Sequence, residues 1–374
     1  MTVDDAVHDT LAQYTDDYAV ERELHAVPPY RVHEVRVDGR RAVLKRDAHR
    51  RGHAAVEGHV HAYAAAETRV PVPPVLAVGA DHYLVAWDDT VPDEPPEPDT
   101  AWCRAAGVVL ARLHADSADA VSTYGSFTTA SDADATTTDG DHTASVADAT
   151  TTCVANDLDG PRMGIADDSD GTRRSSTGTE LSLGSSDGVA LVVDGATTWC
   201  EAVCDRLRGH RQYLASRERS AAVARADAVL DYLAATPDAF AAVGEPVCCH
   251  GNVLPDHLGV VDGSPASLID FEHALAAPPG YDYWRTVGPL GGDDEPALVT
   301  AFREGYESVR PLPTGARGCA RAYRLVNAVA YLEALFLQRN RDETERERVA
   351  ERLCDAIDEW LAAARADGDE TTDG

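Results

Sequence analysis

From about Thr128 to Asp187 the chain consists mainly of Thr, Ser, Asp, Ala and Gly, with few large apolar side chains. Such a segment buries too little surface to offset the entropy of ordering it, so a disordered insertion is expected there. Any core must therefore be built from the stretches on either side. The 374-residue length exceeds what one small core needs and points to two domains or lobes. The expected divisions are a first lobe over 1–88, a connector with the first helix of the second lobe over 89–127, the insertion over 128–187, the rest of the second lobe over 188–366, and an acidic tail over 367–374.

The first lobe reads as strands followed by a helix. In VHEVRVDGRRAVLK, Val35 and Val37 alternate with Arg36, Asp38-Gly39 follows, and Ala42-Val43-Leu44 resumes the apolar run. This is a β-hairpin whose Asp-Gly suits a type I′ turn. AAVEGHVHAYAAA places Val56, Val60 and Tyr63 at helical spacing. The prolines of VPVPPVLAVG stop any helix and lead into a strand, and HYLVAW is a further one. DDTVPDEPPEPDT is a Pro/Asp-rich connector at the lobe boundary. AWCRAAGVVLARLHAD restarts helix, with Ala105, Val109 and Leu113 in step.

Beyond the insertion, GVALVV resumes ordered structure, followed by the helix TWCEAVCDRLRGHRQYLA and another helix. VCCHGNVLPDHLGVVDGSPASLIDFEHA then reads as a strand, a polar loop from His250, a strand, a turn at Asp262-Gly263, and a strand ending in Asp270. Two long helices close the chain, one carrying Leu325, Val329, Leu332 and Phe336, the other Val349, Leu353, Ile357 and Trp360. The fold class is α+β: a small β-rich lobe before a larger, mainly helical one.

Charge narrows the partners. With 64 acidic residues against 33 basic, the formal charge is −31, which argues against nucleic acid or an anionic membrane surface. No apolar run approaches the ~18 residues of a membrane span. MTVDDAVHDTL is acidic and mixed rather than leader-like, so a cytoplasmic, monomeric protein is expected. The eight cysteines form no C-x-x-C pair and suit buried thiols in a reducing cytosol. Acidity together with near-absence of lysine suggests a cytoplasm of very high salt, as in a halophilic archaeon.

Among the 33 Lys+Arg residues only Lys45 is a lysine. It ends the second hairpin strand, and Glu57 lies on the helix that follows. A strand lysine held by a helix glutamate is how protein-kinase-like folds grip the phosphates of a nucleotide. The ammonium is a compact point charge, and the longer, forked guanidinium of arginine is a poor substitute there.

The second half carries a family resemblance. VCCHGNVLPDHLGVV…SLIDFEHA resembles the aminoglycoside phosphotransferases, relatives of the protein kinases. Their catalytic loop reads His-Gly-Asp with an Asn five residues after that Asp, and Ile-Asp-Phe-Glu/Asp comes further on. Leu268-Ile269-Asp270-Phe271-Glu272-His273-Ala274 matches the latter closely. PPGYDYWRT resembles the family's Pro-x-Tyr-Asp-Leu stretch, VVLARLHAD its Leu-x-x-Leu-His helix, and VPVPPVLAVG its strand-leading segment. The resemblance spans both lobes except the insertion. It implies a two-lobed protein-kinase-like fold using ATP and Mg2+. Lys45 would hold phosphates and Glu57 would hold Lys45. The backbone of Val85, Ala86, Trp87 and Asp88 would form the interlobe hinge that meets adenine. The catalytic loop would run from His250, Asp270 would bind the metal with Glu272 adding an oxygen, and Asp282 would brace the loop.

The match has departures. The family's base aspartate falls on Asn252, whose amide can position a hydroxyl but has no useful basicity. The metal-binding asparagine falls on His257, and histidine suits softer metals than Mg2+. Asp256 is the nearby carboxylate expected to take over base or metal duty. No Gly-rich loop precedes Lys45, because HAVPPY occupies that turn, which tilts the substrate away from proteins. The reading is an ATP-dependent phosphotransferase acting on the hydroxyl of a small molecule. Two alternatives stand beside it: a catalytically silent nucleotide-binding module with a binding or scaffolding role, and an unrelated α/β protein with a chance Ile-Asp-Phe-Glu.

Overall fold

A computed structural model describes residues 3–129, 190–290, 296–338 and 340–370. Nearly all of the expected insertion lies outside the described residues. Its first residue, Thr128, ends a strand.

The first lobe is a five-stranded antiparallel sheet formed by β1 (Tyr18–His25), β2 (Tyr30–Val37), β3 (Arg40–Asp47), β4 (Val75–Val78) and β5 (His82–Ala86), in the order β1-β2-β3-β5-β4. Asp38 and Gly39 both take positive φ, 50° and 75°, as the I′ turn between β2 and β3 requires. Strand alternation then sorts the side chains. Val35, Val37, Ala42, Leu44 and Leu84 pack with Val7 and Leu11 of α1 (Val3–Leu11). Val43, Tyr83 and Val85 lie on the opposite face with Ala54, at the start of α2 (Ala54–Glu67). Helix α1 is an addition to the sequence reading, which began the lobe with strands.

The second lobe contains α3 (Thr100–Asp116), β6 (Tyr124–Thr128), β7 (Val192–Ala196), α4 (Trp199–Ser216), α5 (Ser220–Ala235), β8 (Val247–Cys249), β9 (Leu258–Val261), β10 (Ser264–Leu268) and β11 (Leu275–Ala277). They are followed by α6 (Pro279–Val287), α7 (Pro296–Glu307), α8 (Gly315–Gly318), α9 (Ala320–Gln338) and α10 (Glu343–Glu370). Helix α10 runs into the stretch expected to be an acidic tail. Asp262 and Gly263 repeat the positive-φ pair, 51° and 72°, and close the β9–β10 hairpin. Strand β11 returns antiparallel to β8, pairing Leu275 with Cys249. That return brings the start of α6 beside the loop that leaves β8. The apolar core of this lobe is continuous from α3 through α4, α5 and α9 to α10. Five of the seven described cysteines are buried, and all seven are free thiols. Among the described residues, no helix is long and apolar enough to cross a membrane.

Candidate active site

Lys45 projects from β3 on the face that carries Val43, toward the first turn of α2, where Glu57 sits. Its ammonium lies 3.1 Å from Glu57 Oε1 and 2.9 Å from Oε2. From the other lobe, Asp270 Oδ1 approaches to 2.6 Å and Glu272 Oε2 to 3.1 Å. The Tyr30 ring lies against the same ammonium, 4.3 Å from its centroid. Tyr83, paired with Lys45 in the sheet register, donates its hydroxyl to Glu57 Oε1 at 2.8 Å.

One ammonium thus faces three carboxyl groups in a largely buried space. Burial works against the charge on Lys45, but Asp270, Glu272 and Glu57 hold its pKa well above the ordinary lysine value. Burial also raises the Asp270 and Glu272 carboxyls, yet both end below their usual range, drawn down chiefly by Lys45. Glu57 lies deepest, and there burial wins, pushing its carboxyl up to about 8 against the pull of Lys45. The cluster as a whole carries excess negative charge.

Asp270 follows β10 with φ at 68°, a left-handed backbone that costs a non-glycine residue about 1–2 kcal/mol. The turn it starts, Phe271–His273, points Asp270 and Glu272 at Lys45 while Phe271 is buried. Phe271 packs between the rings of His61 on α2 and His250, with centroids 5.3 Å and 4.7 Å away.

The loop after β8 is held by its backbone. Asp282 on α6 is buried and accepts the N–H groups of His250 at 2.8 Å and Gly251 at 2.6 Å. His114 on α3 meets Asp282 Oδ2 at 2.9 Å through Nε2, and the Tyr306 hydroxyl at 2.8 Å through Nδ1. Although burial raises the Asp282 carboxyl, the His114 hydrogen bond brings it below the ordinary value. Arg285 Nε donates to Gly251 O at 2.7 Å, and its Nη2 reaches Asn252 Oδ1 at 3.4 Å. Gly251 has φ at 86°, and a Cβ there would meet His273 O at 2.1 Å. The position requires glycine.

His250 sits in this support rather than on a surface. Its ring is fully buried, Nε2 donates to Ile269 O at 2.9 Å, and Nδ1 faces the Asn252 N–H at 3.3 Å. Burial lowers its pKa to about 4, so it is neutral with the proton on Nε2. From this place in the loop His250 positions the backbone around Asn252 and Ile269. Asn252 lies at the loop's turn, half-buried. His257 Nδ1 donates to Asn252 O at 2.9 Å, which leaves Nε2 facing Asp270 Oδ2 at 3.1 Å and Asp256 Oδ1 at 3.9 Å.

The expected hinge has part of its backbone already bonded. Val85 is buried within β5, Ala86 donates its N–H to Pro74 O at 2.9 Å, and Trp87 donates to Arg41 O at 3.1 Å. Those two N–H groups are therefore taken within the fold. The Arg41 guanidinium covers the Trp87 ring at 3.5 Å, and the Asp88 carboxylate accepts from the Thr90 N–H and hydroxyl. Two cavities, of 390 Å³ beside Arg217, Arg219 and Arg346 and of 570 Å³ between α5, α9 and α10, share no residue with the cluster.

Sequence reasoning missed Tyr30, Tyr83 and Arg285. Tyr83 becomes predictable once β3 is known to pair with β5. Arg285 stands three residues after Asp282 on one helix, a spacing that puts both side chains on the same face. Tyr30 carries no local signal, since only the closed hairpin brings it to Lys45.

The pattern of the phosphotransferase enzyme family matches residues 30–323, from the strand before Lys45 to beyond the loop brace. The chain belongs to that family. Solved structures place it in the same kinase-like fold. One is a thermostable mutant of the aminoglycoside phosphotransferase APH(4)-Ia in ternary complex with ADP and hygromycin B, at 15% identity and a TM-score of 0.55, covering 96% of this chain and 99% of that one. The apo form of such a mutant matches with the same identity and TM-score over 97% and 99%. A fructosamine-3-kinase candidate from Thermobifida fusca matches at 16% identity and a TM-score of 0.54 over 93% and 99%. No protein of curated function matches the chain by sequence.

Proposed function

We propose that this phosphotransferase family member transfers the terminal phosphoryl group of ATP to a hydroxyl of a small molecule. The observation that carries the reading is the convergence of Lys45 from the first lobe and Asp270 from the second, 2.6 Å apart. Phosphoryl transfer asks for positioning and charge neutralisation more than covalent chemistry. Lys45, oriented by Glu57 and Tyr83, would hold the phosphates. The donors beside it, the ionised Asp270 and Glu272 carboxylates and the His257 imidazole, fit a divalent metal and form a cluster with negative charge to spare. A metal ion held there supplies charge neutralisation to the phosphate oxygens. Val85, Ala86, Trp87 and Asp88 would border the adenine, through carbonyls and side-chain surface rather than the two bonded N–H groups. The APH(4)-Ia structures, with ADP in one complex and AMP-PNP in another, support a nucleotide.

The acceptor hydroxyl would sit at Asn252, whose amide orients it, with Asp256 taking its proton. Asp256 stands at the same loop with a partly exposed carboxylate. A second reading, a silent nucleotide-binding module, is favoured by Asn252 itself, since its amide oxygen is turned to Arg285 and has no basicity. Calorimetric titration with ATP and a divalent metal, followed by phosphate-transfer measurements over a panel of small alcohols, amino alcohols and sugars, separates the two. The enzyme reading expects binding that Lys45→Ala removes and turnover that Asp256→Ala abolishes while nucleotide still binds. Binding without turnover on any substrate favours the silent module, and no nucleotide binding at all overturns both.

A further inference from the structure

The structure assigns a nitrogen ligand to the metal at this site: His257 Nε2 and Asp270 Oδ2 form one edge of the coordination sphere, and the site selects a first-row transition ion such as Mn2+, Co2+ or Zn2+ over Mg2+. This rests on the phosphotransferase reading above and goes beyond it by naming the class of ion. Three observations carry it. First, the Nδ1 of His257 meets Asn252 O, a carbonyl oxygen that can only accept, so Nδ1 carries a proton and Nε2 is the nitrogen that can present a lone pair once it is deprotonated. Fixing a ligating imidazole by a hydrogen bond from its other nitrogen to a carbonyl is the usual support of a metal-bound histidine.

Second, Nε2 lies 3.1 Å from Asp270 Oδ2. Two electron-rich atoms held at this distance need a positive charge between them. Donors each ~2.1 Å from one ion and at right angles are ~3.0 Å apart, so the observed separation fits an octahedral edge. The same separation suits an N–H···O bond, so a proton and a metal ion compete for the gap. Third, the two oxygens of Asp270 are divided between tasks. Oδ1 holds Lys45 at 2.6 Å and Oδ2 is left for the metal edge. Hard, strongly hydrated Mg2+ prefers oxygen, whereas imidazole suits the transition ions.

The test uses the full chain with AMP-PNP and Mn2+ as probe. Electron spin echo modulation of the bound Mn2+ should show coupling to a histidine nitrogen, a readout that needs neither turnover nor a variant. Competition of Mg2+ against Mn2+ and Co2+ should show that His257→Asn shifts selectivity toward Mg2+ by about tenfold or more, with the nitrogen coupling lost. Mn2+ and nucleotide bound without nitrogen coupling, or unchanged selectivity in the variant, overturns the inference and leaves the phosphotransferase reading intact. Failure of the wild-type chain to bind nucleotide with any of the three ions overturns that reading itself, and the inference with it.

Discussion

At the scale of single residues, burial decides the protonation of two histidines beside the site, whereas charge partners decide that of Lys45, Asp270 and Glu272. His61 and His250 are both buried, and in each burial lowers the pKa from 6.5 to about 4. In the unfolded chain each takes up a proton near 6.5, while in the folded chain each refuses it until about 4. The unfolded state therefore binds more protons across that window, and stability falls as pH drops from 6.5 to 4. A shift of about 2.5 units corresponds to roughly 3 kcal/mol per group at the acid end. The thermal midpoint is expected to fall steeply over this range, and His61→Gln, which keeps a donor for Pro73 O, should flatten the slope. An unchanged slope in that variant would show that other groups set the acid limit. Asn252 gives a second residue-scale expectation. Restoring a carboxylate with Asn252→Asp places a base where the family has one, and turnover should rise by about 10² or more, with nucleotide affinity little changed. Steady-state kinetics on the best substrate of the panel checks it.

At the scale of elements, the loop is braced by a helix pair. Gly107 on α3 and Gly305 on α7 let the two backbones meet: a Cβ on Gly107 would lie 2.1 Å from Phe302 O, and one on Gly305 would lie 2.0 Å from Arg104 O. That approach seats Tyr306 against His114, which in turn holds Asp282 and through it the His250–Gly251 backbone. Gly107→Ala must push α7 outward and should cost about 1–3 kcal/mol, read as a lowered thermal midpoint. The order of strand, loop, hairpin and Asp270 was legible in the sequence because alternation and Asp-Gly turns are local signals. The same holds for the Lys45–Glu57 pair, which spans one strand end and one helix turn. What was not legible depended on distant partners. Nothing near Gly107 announces Phe302, and nothing near Tyr30 announces Lys45. The burial of His250 was not legible either, because a motif gives a residue's place in the chain and not its exposure. Helix α1 was missed because, among the residues of it whose burial is described, Val7 and Leu11 are the buried apolar ones, too few to mark a period.

At the scale of the molecule, two acidic lobes are joined by apolar packing of Val60, Ala64 and Val70 and by several polar bridges. Besides the Lys45 cluster and the Leu268 N–H bond to Pro71 O at 2.8 Å, Arg69 bonds Asp116 at the end of α3 through its backbone N–H and its guanidinium, and Arg51, in the turn before α2, forms a further bridge. Its guanidinium reaches Glu333 Oε1 on α9 at 2.5 Å, donates to Gly209 O on α4 at 3.2 Å, and lies 4.7 Å from the Tyr213 ring. Glu333 is buried, with His210 as its other partner. A net charge of −31 pushes the lobes apart, and the push reaches further at low salt, where the Debye length grows from ~8 Å at 0.15 M to ~30 Å at 0.01 M. Stability should therefore rise with added salt. Arg51→Ala removes a bridge and leaves Glu333 with His210 alone. Breaking a fully buried pair costs about 3–5 kcal/mol. Arg51 keeps about a third of its side-chain surface exposed, so roughly 1–3 kcal/mol is expected here. If this bridge helps to hold the lobes at the separation that Lys45 and Asp270 require, the variant should bind ATP several-fold more weakly than wild type at low salt, and the gap should narrow as salt rises and screens the repulsion. Calorimetric titration across a salt series reads both effects. Equal affinities throughout the series would mean that the remaining contacts between the lobes close the cleft without Arg51.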